Sequence, residues 1–126
     1  MKIIGHELVP YEPFISCKNL AQLAQNSDKN VLIKFNDTLI KTAVQNGLNF
    51  GVYASNLTQL LLANACGAKF IIVPKRIAKE AADTAQEYLF DAQICVVLDG
   101  ESELEWLSKT GADVAIFKEG IKNGNF

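Results

Sequence analysis

Two lysines and one basic pair are the residues whose types and positions could do chemistry. Lys34 interrupts "VLIKF" (31–35), a run otherwise apolar enough for a strand covered on both faces. A buried ammonium is costly unless paired, and burial can lower its pKa enough for nucleophilic or base chemistry. On an edge strand, or snorkelling to a rim, the same side chain would simply reach water. Lys118, at the end of "VAIFK" (114–118), poses the same alternatives, with Glu119 beside it as a counter-charge. Lys75 and Arg76 follow Pro74 directly, at the expected start of a helix. Cations are electrostatically misplaced there, because the helix dipole favours negative charge. A bound phosphate or carboxylate would remove the conflict, using the helix N–H groups as well. Otherwise Arg76–Glu80 and Lys79–Asp83, at i, i+4 spacing, would answer the charge on an exposed surface.

The remaining polar candidates gather by expected position. In an α/β domain, function belongs at the carboxyl ends of the strands, where the loops leading into helices meet. Those tips hold Asn36 and Asp37, Ser55 and Asn56, Lys75 and Arg76, Asp99 and Glu101, and Lys118 and Glu119. This mixture of cations and carboxylates suits a small polar ligand. Asp37, Ser55, Asn56 and Ser102 are equally suited to capping helices. The one histidine, His6 in "GHELVPYEP", matches no metal-binding spacing, and no metal or cofactor is expected. Neither a glycine-rich nucleotide loop nor a nucleophile elbow is present. Cys17, Cys66 and Cys95 form no CxxC pair, and reduced thiols fit a cytoplasmic protein.

The elements that must position these residues alternate. Five runs have strand character: 31–35, 49–54, 70–74, 94–98 and 114–118. Between them, helical patterns put Ile40, Ala43 and Val44 on one face, then Leu57, Leu60, Leu61 and Ala65, then Ile77, Ala81, Ala85, Tyr88 and Leu89, then Leu104 and Leu107. Gly47, Gly67 and Gly111 stand where the first, second and fourth of these helices end and the next strand begins. Asn56 with Gln59, and Ser102 with Glu105, resemble capping boxes. The first thirty residues contain Pro10 and Pro13 and read as irregular, with a short helix around Leu20, Leu23 and Ala24. An added strand could come from "KII" or "FIS".

The 126 residues, 49% hydrophobic and 21% charged, thus predict a single α/β domain. Residues 1–30 form its irregular lead-in, and 31–119 its alternating β/α units. The expected fold is a five-stranded parallel sheet in a three-layer, flavodoxin-like arrangement. The alternative is a half (β/α) barrel completed by dimerisation. A formal net charge of −2 with scattered basic residues argues against nucleic acid as a partner. No run approaches the roughly 20 apolar residues that span a bilayer, so no membrane partner is expected.

Residues 63–119 resemble part of the phosphate-binding (β/α)8 barrels of the keto-deoxy-phosphogluconate aldolase type. The resemblance rests on Ala63, Gly67-Ala68-Lys69-Phe70-Ile71-Ile72, Pro74, Ser102-Glu103 and Gly111-Ala112-Asp113-Val114. It implies a barrel-type scaffold but not the chemistry. The family's Schiff-base lysine corresponds to Ile116, with Lys118 two residues later, and its hydroxyl residue before the proline corresponds to Val73. The chain is also shorter than the roughly 250 residues of a complete barrel. A second similarity, to small bacterial proteins of about this length, brings no function with it.

Three function classes follow. The chain is a non-catalytic interaction module that self-associates as a homo-oligomer or binds a protein. Alternatively it binds a small anionic, phosphorylated metabolite through Lys75, Arg76 and the neighbouring tips. A third possibility is a lyase-like enzyme using Lys34 or Lys118.

Overall fold

A computed structural model describes residues 1–123. In chain order the elements are β1 (Lys2–Ile4), β2 (Phe14–Ser16), α1 (Leu20–Gln25), β3 (Val31–Lys34), α2 (Asp37–Gln45), β4 (Phe50–Tyr53), α3 (Leu57–Ala65), β5 (Phe70–Ile72), α4 (Ala78–Glu87), β6 (Gln93–Val97), α5 (Leu104–Ser108), β7 (Val114–Ile116) and β8 (Ile121–Lys122). Short 3₁₀ turns precede α4 and α5 and join β7 to β8. The local grammar is largely as the sequence predicts. Gly47, Gly67 and Gly111 close their helices with φ of 62°, 95° and 91°, where a side chain would be strained. Asn19, Asn36 and Asn56 cap α1, α2 and α3, each accepting a hydrogen bond from the backbone N–H three residues on. Ser102 makes no such bond, because a 3₁₀ turn over Glu101–Glu103 opens α5 instead.

All strands run parallel, in the order β1-β7-β6-β5-β4-β3-β2-β8. From β2 to β7 each strand lies beside its sequence neighbour, with no reversal. Right-handed crossovers in such a series place every helix on one face. The packing agrees. Leu23, Leu39, Leu60, Ala81 and Leu107, one from each helix, share a core with Ile33, Val52, Ile71 and Val96 from the strands. The opposite face has its own core, Ile4, Phe14, Leu32, Ile72, Cys95, Val114 and Ile116, to which no helix contributes. The two sets alternate along each strand as the pleat requires.

A buried face without helices means that the sheet curls around its own side chains. Phe14 of β2 and Phe70 of β5 meet edge to face with ring centres 5.0 Å apart, although β3 and β4 lie between their strands. The outermost strands, β1 and β8, approach each other at two glycines. A methyl group on Gly5 would stand 2.6 Å from the Gly120 nitrogen.

The fold is therefore α/β with a parallel sheet and alternating helices, but it is not flavodoxin-like. That arrangement needs helices on both faces and a reversal of strand order. Eight strands replace the expected five, and they form a curled sheet of the half-barrel kind. Both N-terminal candidates, "KII" and "FIS", are strands, so residues 1–30 carry β1 and β2 as well as α1. No second copy is needed to cover the concave face: Phe14 is 1% exposed and Ile116 0%. Helices on a convex surface touch it along a narrow stripe, and α3 shows the effect. Leu60 and Ala63 are buried, whereas Leu61, expected beside them, is 44% exposed.

Candidate functional site

A parallel sheet brings the carboxyl ends of all its strands to one end, the mouth of the curl. Its charged residues divide into two flanks. On the flank of β5 and β6, Lys75 sits 2.7 Å from both Asp99 and Glu103. The other Glu103 oxygen accepts the Asp99 backbone N–H at 2.7 Å. Hydrogen bonds from Lys75 hold the carboxyl groups of Asp99 and Glu103 below the usual carboxylate range. Lys75 is in turn raised, first by Asp99 and then by Glu103. Arg76 donates to the Ser55 carbonyl at 3.1 Å.

The anion site expected at Lys75 and Arg76 is thereby answered from within the chain. Both residues lie in the 3₁₀ turn ahead of α4, not in the helix. The expected Lys79–Asp83 pair forms at 2.6 Å, but Arg76–Glu80 is not among the ion pairs of the described residues. Ser55 and Asn56 serve α3: Asn56 accepts the Gln59 N–H, and Gln59 accepts from Ser55. Asp37 is the exposed first residue of α2, where its charge suits the dipole.

Two further contacts tie the β1 and β7 ends into the same flank. His6 Nε2 donates to Glu101, and Nδ1 accepts the Leu8 N–H at 3.1 Å. The ring packs edge-on against Phe117. Tyr11 donates to the Glu119 carbonyl at 3.3 Å. Lys118 makes no ion pair with Glu119 among the described residues; its charge helps to lower Asp99 instead. The His6–Glu101 contact joins residues 95 apart in sequence, and no spacing rule could have found it.

The flank at β2 and β3 differs. A cleft of about 470 Å³ opens there, lined by Ser16, Cys17 and Lys18 from the first strand's end and by Lys34, Phe35 and Asn36 from the second, with Leu39 of α2. Lys34 is neither buried nor on an edge strand. It shares the inward side of β3 with Leu32 and emerges at the rim, exposed. Ser16 pairs in register with Leu32, and the Cys17 N–H donates to the Leu32 carbonyl at 2.9 Å. Carrying that register two residues further brings Lys18 level with Lys34. Neither ammonium has an ion-pair partner among the described residues.

Cys17 donates to the Ile15 and Gln22 carbonyls at 3.6 Å, and burial pushes its thiol up, so it stays protonated at neutral pH. Burial raises Cys66 and Cys95 as well. The sequence reading singled out Lys34 and Asn36 but missed Ser16 and Lys18. The signal was their position directly after "FIS", and it becomes legible only once that segment is known to be a strand.

Among the described residues, no three His, Cys, Asp or Glu side chains gather as a metal site would require, and no helix is long and apolar enough to cross a membrane. Ile116, where the aldolase resemblance would put a lysine, is fully buried in β7. Compared with protein-family models and with curated proteins, the chain finds no match in either.

Proposed function

We propose that this protein binds a small organic anion, without catalysis, in the cleft at the carboxyl ends of β2 and β3. The observation that carries this reading is the pair Lys18 and Lys34. Extending the β2–β3 register past Ser16 sets these like charges level at neighbouring strand tips, and neither has an ion-pair partner among the described residues. Such a juxtaposition is unfavourable until an anion neutralises it. The anion site thus moves from Lys75 and Arg76, whose charges are already met, to the opposite flank. Lys34 and Lys118 are both exposed. The three free cysteines suit a reducing, cytoplasmic setting.

Thermal shift tests this against a panel of carboxylates, phosphate esters and nucleotides. A ligand at a hundred times its dissociation constant adds about 2.7 kcal/mol, which raises the midpoint by on the order of 10 °C. The expected result is a shift with some anions that disappears in the Lys18→Ala, Lys34→Ala double variant. The unliganded midpoint of that variant should hold or rise slightly. A shift that survives both substitutions would refute the site.

A second reading, self-association as a homo-oligomer, is favoured by the outer face of α3. Leu61 is 44% and Leu62 53% exposed there. Light scattering at increasing concentration should then give a dimer mass that Leu62→Glu abolishes. A monomer at millimolar concentration would end this reading.

A further inference from the structure

We infer that the anion this cleft takes is a carboxylate on an aryl or branched-alkyl body, with Ser16 as the residue that selects it; the inference rests on the binding reading above. Ser16 is only 2% exposed, and its hydroxyl has no hydrogen-bond partner among the described residues. No polar side-chain atom of those residues is sealed off without a partner. The Ser16 oxygen therefore opens on the cleft that it lines. A ligand filling the cleft would cut this oxygen off from water and must offer a hydrogen bond in return.

The rest of the lining decides what else the ligand is. Phe35 and Leu39 present hydrocarbon, and the protonated Cys17 thiol adds a third weakly polar surface. No carboxylate lines the cleft, and Asn36 spends its side-chain oxygen on the Leu39 N–H at 3.0 Å. The side chains lining the cleft offer few free acceptors, chiefly the Ser16 oxygen, so most hydroxyl groups of a sugar phosphate would be desolvated without return. A carboxylate brings only acceptors, and the Lys18 and Lys34 ammonium groups and the Ser16 hydroxyl can all donate to it. Its hydrocarbon body then covers Phe35 and Leu39. The cleft's 470 Å³ lies within the usual range for sites that hold small molecules.

Amide chemical-shift titration of the full chain tests this with acetate, 3-phenylpropionate, 4-methylpentanoate, glucose 6-phosphate and inorganic phosphate. We expect 3-phenylpropionate and 4-methylpentanoate to shift the amides of Ser16, Lys18 and Phe35, and to bind at least tenfold more tightly than acetate. Ser16→Ala, a small change that spares the fold, should weaken them about three- to tenfold. Tighter binding of either phosphate compound, with the same dependence on Lys18 and Lys34, would overturn the carboxylate assignment and leave the anion site standing. Unchanged carboxylate affinity in Ser16→Ala would remove Ser16 from the role. If no anion perturbs these amides, the binding reading itself falls.

Discussion

The two flanks of the mouth are built from the same kinds of residue and are finished differently. Around Lys75 the adjacent basic pair meets oxygens of the chain itself: two carboxylates for Lys75 and a carbonyl for Arg76. Around Lys34 the cations border a cleft with apolar walls and a hydroxyl that has no partner among the described residues. The first strand tip satisfies itself, whereas the second has the charges and donors that the proposed anion site requires. The lesson reverses the electrostatic expectation from sequence, in which the adjacent Lys75-Arg76 pair was the more conspicuous.

The contrast can be broken most severely at its closed end. Gly5→Ala places a carbon 2.6 Å from the Gly120 nitrogen and 2.7 Å from the Phe117 carbonyl, at a φ of +96° that a side chain resists. The neighbours are backbone and cannot rotate away. Denaturant unfolding should show a loss of roughly 3 kcal/mol or more. A loss under about 0.5 kcal/mol would mean that the edges of the sheet do not touch.

A smaller effect is expected at Lys75. Its partnership is solvent-exposed, so Lys75→Ala should lower the midpoint by a few degrees at most, whereas the Lys18, Lys34 double variant should not lower it. Opposite signs in the two flanks would sharpen the comparison, and equal losses would erase it.

The smallest effect is in pH. Asp99 and Glu103 are depressed from ordinary values of 3.8 and 4.5, so their stabilisation is present above those values and lost as pH falls through the lowered ones. Lys75 is raised from 10.5, so its share is present below that value and lost as pH climbs through the raised one. The midpoint difference between wild type and Lys75→Ala should therefore hold from about pH 5 to 10 and vanish in acid. A difference that persists at about pH 2 would assign the stabilisation to something other than these carboxylates.

Much of this was legible in the sequence, for local reasons. Helix ends are written in residues that only a few conformations accept, and Gly47, Gly67, Gly111 and Asn56 all did what their chemistry requires. The five strands expected from apolar runs stand where those runs put them. The curl was not legible. A strand covered by helices on both sides and one lining a closed interior carry the same apolar composition, so Leu32 and Ile33 read alike although they face different cores. β5 and β7 are equally short but sit in longer apolar runs, whereas β1, β2 and β8 lie in runs too short for a pattern to register. The candidate cleft inherits that blindness. Lys34 was visible as an interruption, but its partner Lys18 is level with it only through a register that belongs to β2.

The pairing of β1 with β7, in which Lys2 lies opposite Val114, also sets the order of events as the chain folds. Contacts between residues so far apart in sequence form late, because a long loop must first close. The β3–β4 and β4–β5 units can assemble from local pieces, but the first strand made must wait for nearly the last. During that interval the neighbouring edges are open to other chains, the period in which such sheets aggregate. Refolding should thus be limited by one slow closing step, on the millisecond-to-second scale of non-local sheets.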